Sequence, residues 1–163
     1  MNNLTETDKA YIAGIFDGEG CIGYYNAALT YNHRPGYFHA SINVCNTDPR
    51  VISWLKEVTG IGKVGLLKMN TTRRRQAYQW QLGKRAEIVE FLQTIRPYLK
   101  IKSEQVDVLL AHIDMETGYV KHHGSVTTEI VKARQDVSDK LKILKRAVFV
   151  EGVETKQAGS LIH

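Results

Sequence analysis

The ten residues YIAGIFDGEG, numbered 11–20, decide the fold of this chain: a short apolar run ends in a carboxylate held between two glycines. Thr5 and Asp8, three residues apart, form a capping-box signature that predicts a helix from near Glu6 to about Asp17. Residues 10–16 are all apolar or small, whereas an ordinary surface helix shows a polar stripe. The pattern therefore predicts a helix that is buried on nearly every side.

Small side chains recur on one face of this predicted helix. Ala10, Ala13, Gly14 and Asp17 are spaced three and four apart, which places them on the same side of a helix. A glycine in a helix interior costs roughly 1 kcal/mol relative to alanine, so Gly14 indicates close packing. We interpret this face as the place where a second helix approaches closely, and these four residues as a dimer interface.

Glu19 leaves the predicted helix at its negative end. Gly18 and Gly20 are expected to end the helix, beside carbonyl groups that have no partner within it. Two such helices packed side by side would bring two Glu19 carboxylates together, and like charges that close favour a divalent cation. The simpler alternative is a buried helix with a glycine cap and one exposed glutamate.

The nine residues from Ile12 to Gly20 resemble the LAGLIDADG motif, which names a family of homing endonucleases. The residues that match the motif outright are Ala13, Gly14, Asp17 and Gly20. Apolar substitutes occupy three further positions, Ile12, Ile15 and Phe16. Glu19 keeps the second acid of the motif, and Gly18 replaces its alanine. The resemblance covers roughly residues 8–110. It implies a homodimer with the two motif helices as its interface, because family members with a single motif are similar in size and act as homodimers.

Length, charge and cysteine content set broad limits. The 163 residues fit a single domain, which we place at residues 1–150, with a flexible tail at residues 151–163. Lys and Arg outnumber Asp and Glu by 22 to 17, an excess that permits a polyanionic partner but is also ordinary for a solvated surface. Two cysteines without a signal-peptide pattern indicate an intracellular protein, and no apolar run approaches the roughly 18 residues of a membrane span.

The remaining chain alternates strand and helix patterns. Strands are predicted from Cys21 to about Thr30, Tyr37 to Cys45, Lys63 to about Met69, and Gln76 to Leu82. Helices are predicted from Pro49, with Asp48 as N-cap, to just before Gly60; from Arg85 to Ile95; from Ser103 to about Glu116, with Gly118 breaking it; and from Thr127 or Thr128 to about Arg146. The predicted fold is α+β: a helix and two strand-strand-helix units, giving a four-stranded antiparallel sheet with helices on one face, followed by extra C-terminal helices.

The second predicted strand shows the clearest alternation of apolar and polar residues. Phe38, Ala40, Ile42 and Val44 share one face, which we expect to be the core side. On this strand and the fourth, the other face carries side chains that can read base edges, where water alone would favour Lys and Glu: Tyr37, His39, Ser41, Asn43, Gln79 and Gln81. The sequence therefore predicts a sheet that follows the major groove of DNA.

Basic residues cluster in the two predicted loops at the ends of this sheet. They could hold phosphates and supply the salt-dependent part of DNA affinity, although arginines in a turn could also be only a solvated loop. The loop residues are His33 and Arg34 in one loop and Arg73, Arg74 and Arg75 in the other. Tyr25, Lys63 and Lys68 complete the predicted DNA-binding set.

The family resemblance also implies an active site. Asn46 stands where the family carries an active-site amide, and Lys102 where it places a basic residue beside the scissile phosphate. Arg50 corresponds to a further basic residue of the same pocket, and Glu19 with the backbone carbonyl of Gly18 would bind the metal. The implied cofactor is Mg²⁺; Mn²⁺ is expected to substitute, and Ca²⁺ to support binding without efficient cleavage.

Together with these features, the resemblance implies a site-specific homing endonuclease that hydrolyses both strands of a long, near-palindromic double-stranded DNA site with a divalent metal, and so promotes intron mobility. The expected partners are DNA and a second copy of the chain, with no membrane and no small-molecule substrate. The expected location is bacterial or phage-infected cytoplasm or an organelle, without secretion. The alternatives on the same scaffold are an intron RNA maturase or a non-catalytic DNA-binding regulator; a structural dimerisation module would leave the polar sheet face without a use.

Overall fold

The computed structural model describes residues 4–27, 36–67, 75–123 and 127–147, with the side chains of residues 116–123 and 147 left out. The described part contains five α-helices, four strands and a short 3₁₀ turn at Arg96–Tyr98. The elements in chain order are α1 (Glu6–Glu19), β1 (Gly20–Asn26), β2 (Phe38–Asn46), α2 (Pro49–Thr59), β3 (Lys63–Leu66), β4 (Tyr78–Leu82), α3 (Arg85–Ile95), α4 (Ser103–His123) and α5 (Thr128–Ala147). The predicted α+β fold is confirmed.

The capping box predicted at the start of α1 is present. The Asp8 backbone N–H donates to the Thr5 hydroxyl at 3.1 Å, and the Thr5 backbone N–H donates to the Asp8 carboxylate at 3.0 Å. At the other end the helix runs through Gly18 to Glu19, and the N–H of Gly20 caps it by donating to the Phe16 carbonyl. The prediction that Gly18 ends the helix is therefore wrong, because a single glycine costs only about 1 kcal/mol in a helix interior.

Within one chain α1 is buried on one side only, which also corrects the sequence analysis. Ile12, Ala13 and Phe16 are fully buried, whereas Tyr11 is 57% exposed and Gly14 is exposed. The sheet and the neighbouring helices cover one side of α1. The other side is an exposed, largely apolar surface.

The four strands form one antiparallel sheet in the order β1-β2-β4-β3. Alternate residues of each strand point to opposite faces, and the apolar set of β2 faces the core as predicted: Ile42 and Val44 are at most 1% exposed. Trp80 of β4 packs its ring 5.0 Å from Phe91 of α3, and Phe91 lies 5.5 Å from Phe16 of α1. These aromatic contacts join α1 to the sheet through α3.

Several predicted boundaries are confirmed and others shift. Asp48 caps α2, whose first residue is Pro49, and Gly60 ends it in the left-handed conformation with φ 69°. β1 ends at Asn26 and β3 at Leu66, both earlier than predicted; positions 28–30 and 68–69 lie outside the described residues. The prediction that Gly118 breaks a helix is wrong, because α4 continues through it to His123.

The C-terminal helix α5 packs beside β1, at the edge of the sheet. The Ser138 hydroxyl donates to the Tyr24 carbonyl at 2.7 Å, and Arg134 donates to the Gly36 carbonyl at 2.6 Å. The Tyr24 hydroxyl lies 2.7 Å from Nε2 of His112 on α4. These buried polar contacts attach both C-terminal helices to the sheet.

No helix in the described parts of the chain is both long enough and apolar enough to cross a membrane. The predicted tail at residues 151–163 lies outside the described residues.

Candidate functional site

The face of the sheet away from the core carries a polar row that crosses all four strands. Cys21 pairs with Asn43, Asn43 pairs with Gln81, and Gln81 pairs with Lys63. Because directly paired residues point to the same face, these four side chains stand side by side. Gln81 and Lys63 are exposed and Asn43 is half-buried. The row offers amide and ammonium groups at the surface, which suits contacts to bases and phosphates.

A second row, Cys45 paired with Gln79 and Gln79 paired with Gly65, lies beside the first. On the other side, the rings of Tyr25 and His39 meet edge to face at 5.8 Å. Tyr37, just before β2, is 47% exposed. The outward face therefore presents nearly all the side chains that the alternation predicted for it.

Ser41 is the exception among the predicted base-reading residues. It faces outward but is only 4% exposed. Its partner on β1 is Gly23, where an added Cβ would lie 2.6 Å from the Ser41 hydroxyl and 3.5 Å from the Tyr25 ring. Ser41 thus fills the space left by the missing side chain of Gly23, and it is not placed to contact a ligand without rearrangement.

A basic cleft lies at the edge of the outward face. It has a volume of about 490 Å³ and is lined by Lys56, Lys63 and Lys84, together with His39 and Gln81. Lys84 forms an ion pair with Glu87 at 2.9 Å, so the cleft retains an excess of positive charge. Lys56 and Lys84 were not predicted, because in the sequence Lys56 is one lysine within a helix pattern and Lys84 is the residue before another.

The two predicted basic loops are described only in part. Arg75 is exposed at the end of its loop, and Gln76 beside it donates to the carbonyls of Leu67 and Ala77 at 3.1 and 2.9 Å. These bonds join the two strand ends that carry the arginine loop. The other predicted loop contacts, His33, Arg34, Lys68, Arg73 and Arg74, lie outside the described residues.

Glu19 is the last residue of α1 and is exposed where the helix meets β1. Among the described residues, no hydrogen bond or ion pair engages its carboxylate. The carbonyl of Phe16 accepts the Gly20 N–H, and that of Asp17 accepts the Lys102 ammonium. The Gly18 carbonyl and the Glu19 carboxylate are among the oxygens at this helix end for which no contact is seen in the described residues.

This donor set suits a hard cation such as Mg²⁺, which prefers oxygen ligands and keeps several waters. The described parts of one chain contain no group of three or more His, Cys, Asp or Glu residues that could hold a metal. A metal bound at Glu19 would therefore draw further oxygens from a second chain or from a phosphate. With such additional oxygen ligands, Glu19 and the Gly18 carbonyl fit the predicted Mg²⁺ ion.

Asp17 anchors the loop that precedes α4. Its carboxylate accepts the backbone N–H groups of Lys100, Ile101 and Lys102 at 2.7, 3.2 and 2.9 Å. The Lys102 ammonium donates to the backbone carbonyl of Asp17. The Asp17 carboxylate is therefore engaged inside its own chain, where it holds this loop at the end of α1.

Lys102 is brought close to Glu19 by this anchor. Burial lowers the pKa of Lys102, while the nearby Asp17, Cys21 and Glu19 act in the opposite direction. A half-buried ammonium such as that of Lys102 can bind an anionic group, and the same anionic group can share a metal ion with the nearby carboxylate. The structure thus brings together Glu19, Gly18 and Lys102 of the predicted active site.

Asn46 and Arg50 are each engaged in the turn that starts α2. The Asn46 side-chain oxygen accepts the Asp48 N–H at 2.8 Å, and Arg50 forms a bidentate ion pair with the Asp48 carboxylate at 2.6 to 3.1 Å. The Arg50 side chain is 89% exposed, and its hydrogen bonds hold the pKa of Asp48 at about 2. Both residues support the cap of α2 here, and the Arg50 guanidinium would have to leave Asp48 to contact a substrate.

The small residues of α1 divide between the core and the surface. Ala13 is fully buried within the chain, which removes it from the predicted dimer interface, whereas Ala10 and Gly14 are exposed. A Cβ added at Gly14 or Gly18 would meet nothing within 4 Å. The exposed side of α1 is therefore lined by Ala10, Gly14 and Gly18, one turn apart, and by the 57% exposed Tyr11.

Lys145 of α5 is a residue near this site that the sequence analysis did not single out. Its ammonium lies 3.8 Å from the Cys21 sulfur, two residues after Glu19. In the sequence it is one of several lysines on an amphipathic helix, and no local signal separates it from the others.

Solved structures with the same fold were found by comparison. The homing endonuclease I-CvuI, bound to the I-CreI target with Mg and with the DNA not cleaved, has a TM-score of 0.66 and 18% identity, over 91% of this chain and 85% of that chain. The group I intron-encoded homing endonuclease I-CeuI, complexed with DNA, has a TM-score of 0.62 and 14% identity, over 86% and 69%. The LAGLIDADG homing endonuclease I-GzeII, in complex with its DNA target, has a TM-score of 0.62 and 17% identity, over 85% and 45%.

No protein-family model matches the chain, and no curated protein matches its sequence. The structural likenesses show that the chain has the fold of LAGLIDADG homing endonucleases. The predicted resemblance is confirmed at that level.

Proposed function

We propose that this chain is a LAGLIDADG homing endonuclease that works as a homodimer and hydrolyses both strands of a long, near-palindromic DNA site. The observation that carries the proposal is the exposed Glu19 carboxylate at the end of α1, next to Lys102 and to the polar row of the sheet. A carboxylate that could bind a metal, a lysine and a polar surface that could read bases lie together at one place. The solved structures of similar fold were determined with DNA bound, which supports the same partner here.

The outward sheet face would hold the DNA. Gln81, Gln79 and Asn43 can each make two hydrogen bonds to adenine, whereas the lysines of the basic cleft and Arg75 contact phosphates without reading sequence. The full proposed contact set includes the loop residues His33, Arg34, Lys68, Arg73 and Arg74, and the strand residues Tyr25, Tyr37, His39 and Lys63.

The proposed dimer joins the exposed sides of two α1 helices. Ala10, Gly14 and Gly18 leave room for close helix approach, and the last turn of each helix brings its Glu19 toward its counterpart. A twofold dimer repeats the same contacts on both halves of the DNA, which makes a near-palindromic target the expected substrate. Residues 1–150 form the endonuclease domain in this proposal.

At the reaction centre, Glu19 and the Gly18 carbonyl would hold Mg²⁺, with Mn²⁺ as a substitute and Ca²⁺ supporting binding without efficient turnover. When bound, such a metal polarises the scissile phosphate and lowers the pKa of the attacking water. Lys102 binds a phosphate oxygen and stabilises the negative charge that grows during hydrolysis. Asp17 holds Lys102 in place through the three backbone bonds of its loop.

Asn46 and Arg50 have supporting roles in this proposal. Asn46 uses its side-chain oxygen in the turn before α2, which leaves its NH₂ group to orient a water or a phosphate. Arg50 would leave Asp48 for a phosphate when DNA binds, because a charge-assisted bond to phosphate can replace the one to carboxylate. The enzyme would act inside the cell or organelle that holds its target and so promote intron mobility.

The test uses a supercoiled plasmid that carries the DNA on either side of the chain's own coding region, joined as an uninterrupted site. The wild-type protein with Mg²⁺ should convert this plasmid to the linear form, and a plasmid without the site should remain supercoiled. Binding to the site without cleavage in Mg²⁺ or Mn²⁺ would replace the endonuclease with a DNA-binding regulator. Preferred binding to the intron RNA would favour the maturase.

A further inference from the structure

Helix α5 lies along β1 on a defined face. Arg134, Ser138, Leu141 and Lys145 are spaced four, three and four apart, so they share one side of the helix. Arg134 contacts the Gly36 carbonyl, Ser138 contacts the Tyr24 carbonyl, and Leu141 is 2% exposed. This side of α5 is therefore held against the sheet at several successive turns.

The direction of α5 brings its C-terminal end to the proposed active site. Gly36 comes just before β2, whose residue Phe38 pairs with Asn26 at the far end of β1. Arg134 thus lies near the end of β1, and Lys145 near its beginning, at Cys21. Because buried contacts fix the helix between these points, the position of Lys145 follows from the packing of α5.

Two lysines therefore contact residues that lie on either side of Glu19 in the sequence. Lys102 donates to the carbonyl of Asp17, two residues before Glu19, and Lys145 contacts the sulfur of Cys21, two residues after it. Cys21 pairs with Asn43 and so belongs to the polar row of the outward face. Lys145 therefore stands where the row of DNA-contacting side chains meets the metal-binding carboxylate.

A simpler role for Lys145 is to stabilise the C-terminal end of α5, where positive charge opposes the helix dipole. The groups around the Lys145 ammonium indicate that, besides this role, it binds a ligand. A thiol is a weak hydrogen-bond acceptor and an ammonium has three donors. Among the described residues, Lys142 one turn earlier forms an ion pair with Asp139 at 2.7 Å, whereas no carboxylate pairs with Lys145. Within the described part of the chain, its charge remains available to an anion.

We propose that Lys145 is a second phosphate-binding lysine of the active site, which contacts the cleaved strand beside the phosphate held by Lys102. The proposal rests on the endonuclease function proposed above and adds a residue from a different helix. Lys145 binds a non-bridging oxygen in the ground state and keeps that contact as negative charge grows during hydrolysis. It therefore contributes both to DNA affinity and to the rate of cleavage.

The test compares Lys145→Ala with Lys140→Ala as a matched control. Lys140 is an exposed lysine of the same helix, five residues earlier and about 140° around the helix axis. Binding to a mixed-sequence DNA duplex is measured over a range of salt concentrations. Each lost phosphate contact should lower the log-log salt slope by about 0.9, twice that for a dimer with two copies. Cleavage of the target plasmid should also fall by about tenfold or more for Lys145→Ala.

A second measurement does not depend on cleavage. Cys45→Ser leaves Cys21 as the only cysteine, and its alkylation rate is measured with and without the duplex. Bound DNA should protect Cys21, because Lys145 and Cys21 would lie under the phosphate backbone. Thermal melting of each variant checks that the fold is retained.

The outcomes separate this inference from the proposed function. If DNA protects Cys21 but Lys145→Ala keeps the salt slope and cleavage rate of Lys140→Ala, then Lys145 only stabilises its helix and the inference is overturned. If the wild type neither binds the duplex nor shows protection of Cys21, the function and the inference fail together.

Discussion

Asp17 and Lys102 are 85 residues apart in sequence and are joined by two hydrogen bonds, both donated by Lys102: the Asp17 carboxylate accepts the Lys102 N–H at 2.9 Å, and the Asp17 carbonyl accepts the Lys102 ammonium. The first link fixes the loop before α4 at the end of α1. The second brings a positive charge beside Glu19. An acid that the motif pattern suggested for a dimer interface thus positions Lys102, the lysine of the proposed active site.

Replacing Asp17 with alanine should destabilise the fold. The backbone N–H groups of Lys100 to Lys102 lose a charged acceptor, which should lower the free energy of unfolding by roughly 1.5–3 kcal/mol. The matched control is Asp107→Ala, which removes a solvent-exposed ion pair with Arg96 and should cost at most about 1 kcal/mol. Urea unfolding of the two variants gives the comparison. Equal losses would show that the loop does not depend on Asp17.

Replacing Glu19 with glutamine should remove cleavage and spare DNA binding. The variant keeps the size of the side chain but loses the charge that holds the metal, so cleavage should fall by several orders of magnitude. Binding measured with Ca²⁺ should be equal or tighter, because the substitution removes repulsion between carboxylates and phosphates. Lys102→Ala should have a milder effect on cleavage. A Glu19→Gln protein that cuts as fast as the wild type would refute the metal assignment.

Replacing Gly14 with leucine should abolish the proposed dimer without unfolding the chain. Gly14 is exposed and a Cβ added there would meet nothing within 4 Å, and leucine is a better helix former than glycine by up to about 1 kcal/mol. Ala13→Leu is the contrasting variant: its site is fully buried, and overpacking should cost about 1–3 kcal/mol. Sedimentation and thermal melting distinguish lost assembly from lost stability. A wild-type monomer at micromolar concentration in the presence of DNA would contradict the dimer.

The basic loop should govern affinity and leave base preference unchanged. Alanine at Arg73, Arg74 and Arg75 together should weaken binding to all sequences similarly, because phosphate contacts release counterions without reading bases. The log-log salt slope should fall by about 0.9 for each phosphate contact that is lost. Binding to several unrelated duplexes across a salt series measures both effects. A change in base preference from these substitutions alone would count against the assignment.

Side chains of the polar row should govern base preference. Gln81→Ala or Asn43→Ala should relax discrimination at a few base positions by about 1–3 kcal/mol for each lost two-bond contact. Ser41→Ala should leave base preference unchanged, because Ser41 is 4% exposed. Selection from a library of target variants reads out both. Relaxed discrimination in Ser41→Ala would mean that the sheet rearranges when it binds DNA.

The cap of α2 should lose its stabilising effect in acid. Hydrogen bonds from Arg50 lower the Asp48 pKa from 3.8 to about 2 in the folded chain. A carboxyl whose pKa is lowered by folding stabilises the folded state at pH values above its unfolded pKa. This stabilisation is lost as the pH falls from 3.8 to about 2. Unfolding of Asp48→Asn should be less pH-dependent than that of the wild type in this window. Identical acid profiles would show that the pair contributes nothing.

Local signals in the sequence were reliable where one short segment contains all the interacting groups. The capping box of Thr5 and Asp8 and the Asp48 cap of α2 involve neighbours within three residues, and both are present. The glycine signals at Gly18 and Gly118 were misleading, because a preference of about 1 kcal/mol yields to the hydrogen bonds of a continuing helix. Ser41 lies on the predicted face but is buried there, because alternation gives the face of a side chain and not the room around it.

By itself the sequence determined the order of the elements, the polar outward face and the candidate metal ligand Glu19, because spacing within each segment encodes these features. Tertiary structure alone decided that Ala13 belongs to the core, that Asp17 anchors the loop of Lys102, and that Lys145 reaches Cys21. The partners in the last two contacts lie 85 and 124 residues apart. Such pairs form only when the sheet and helices pack, and no pattern within a single segment specifies them.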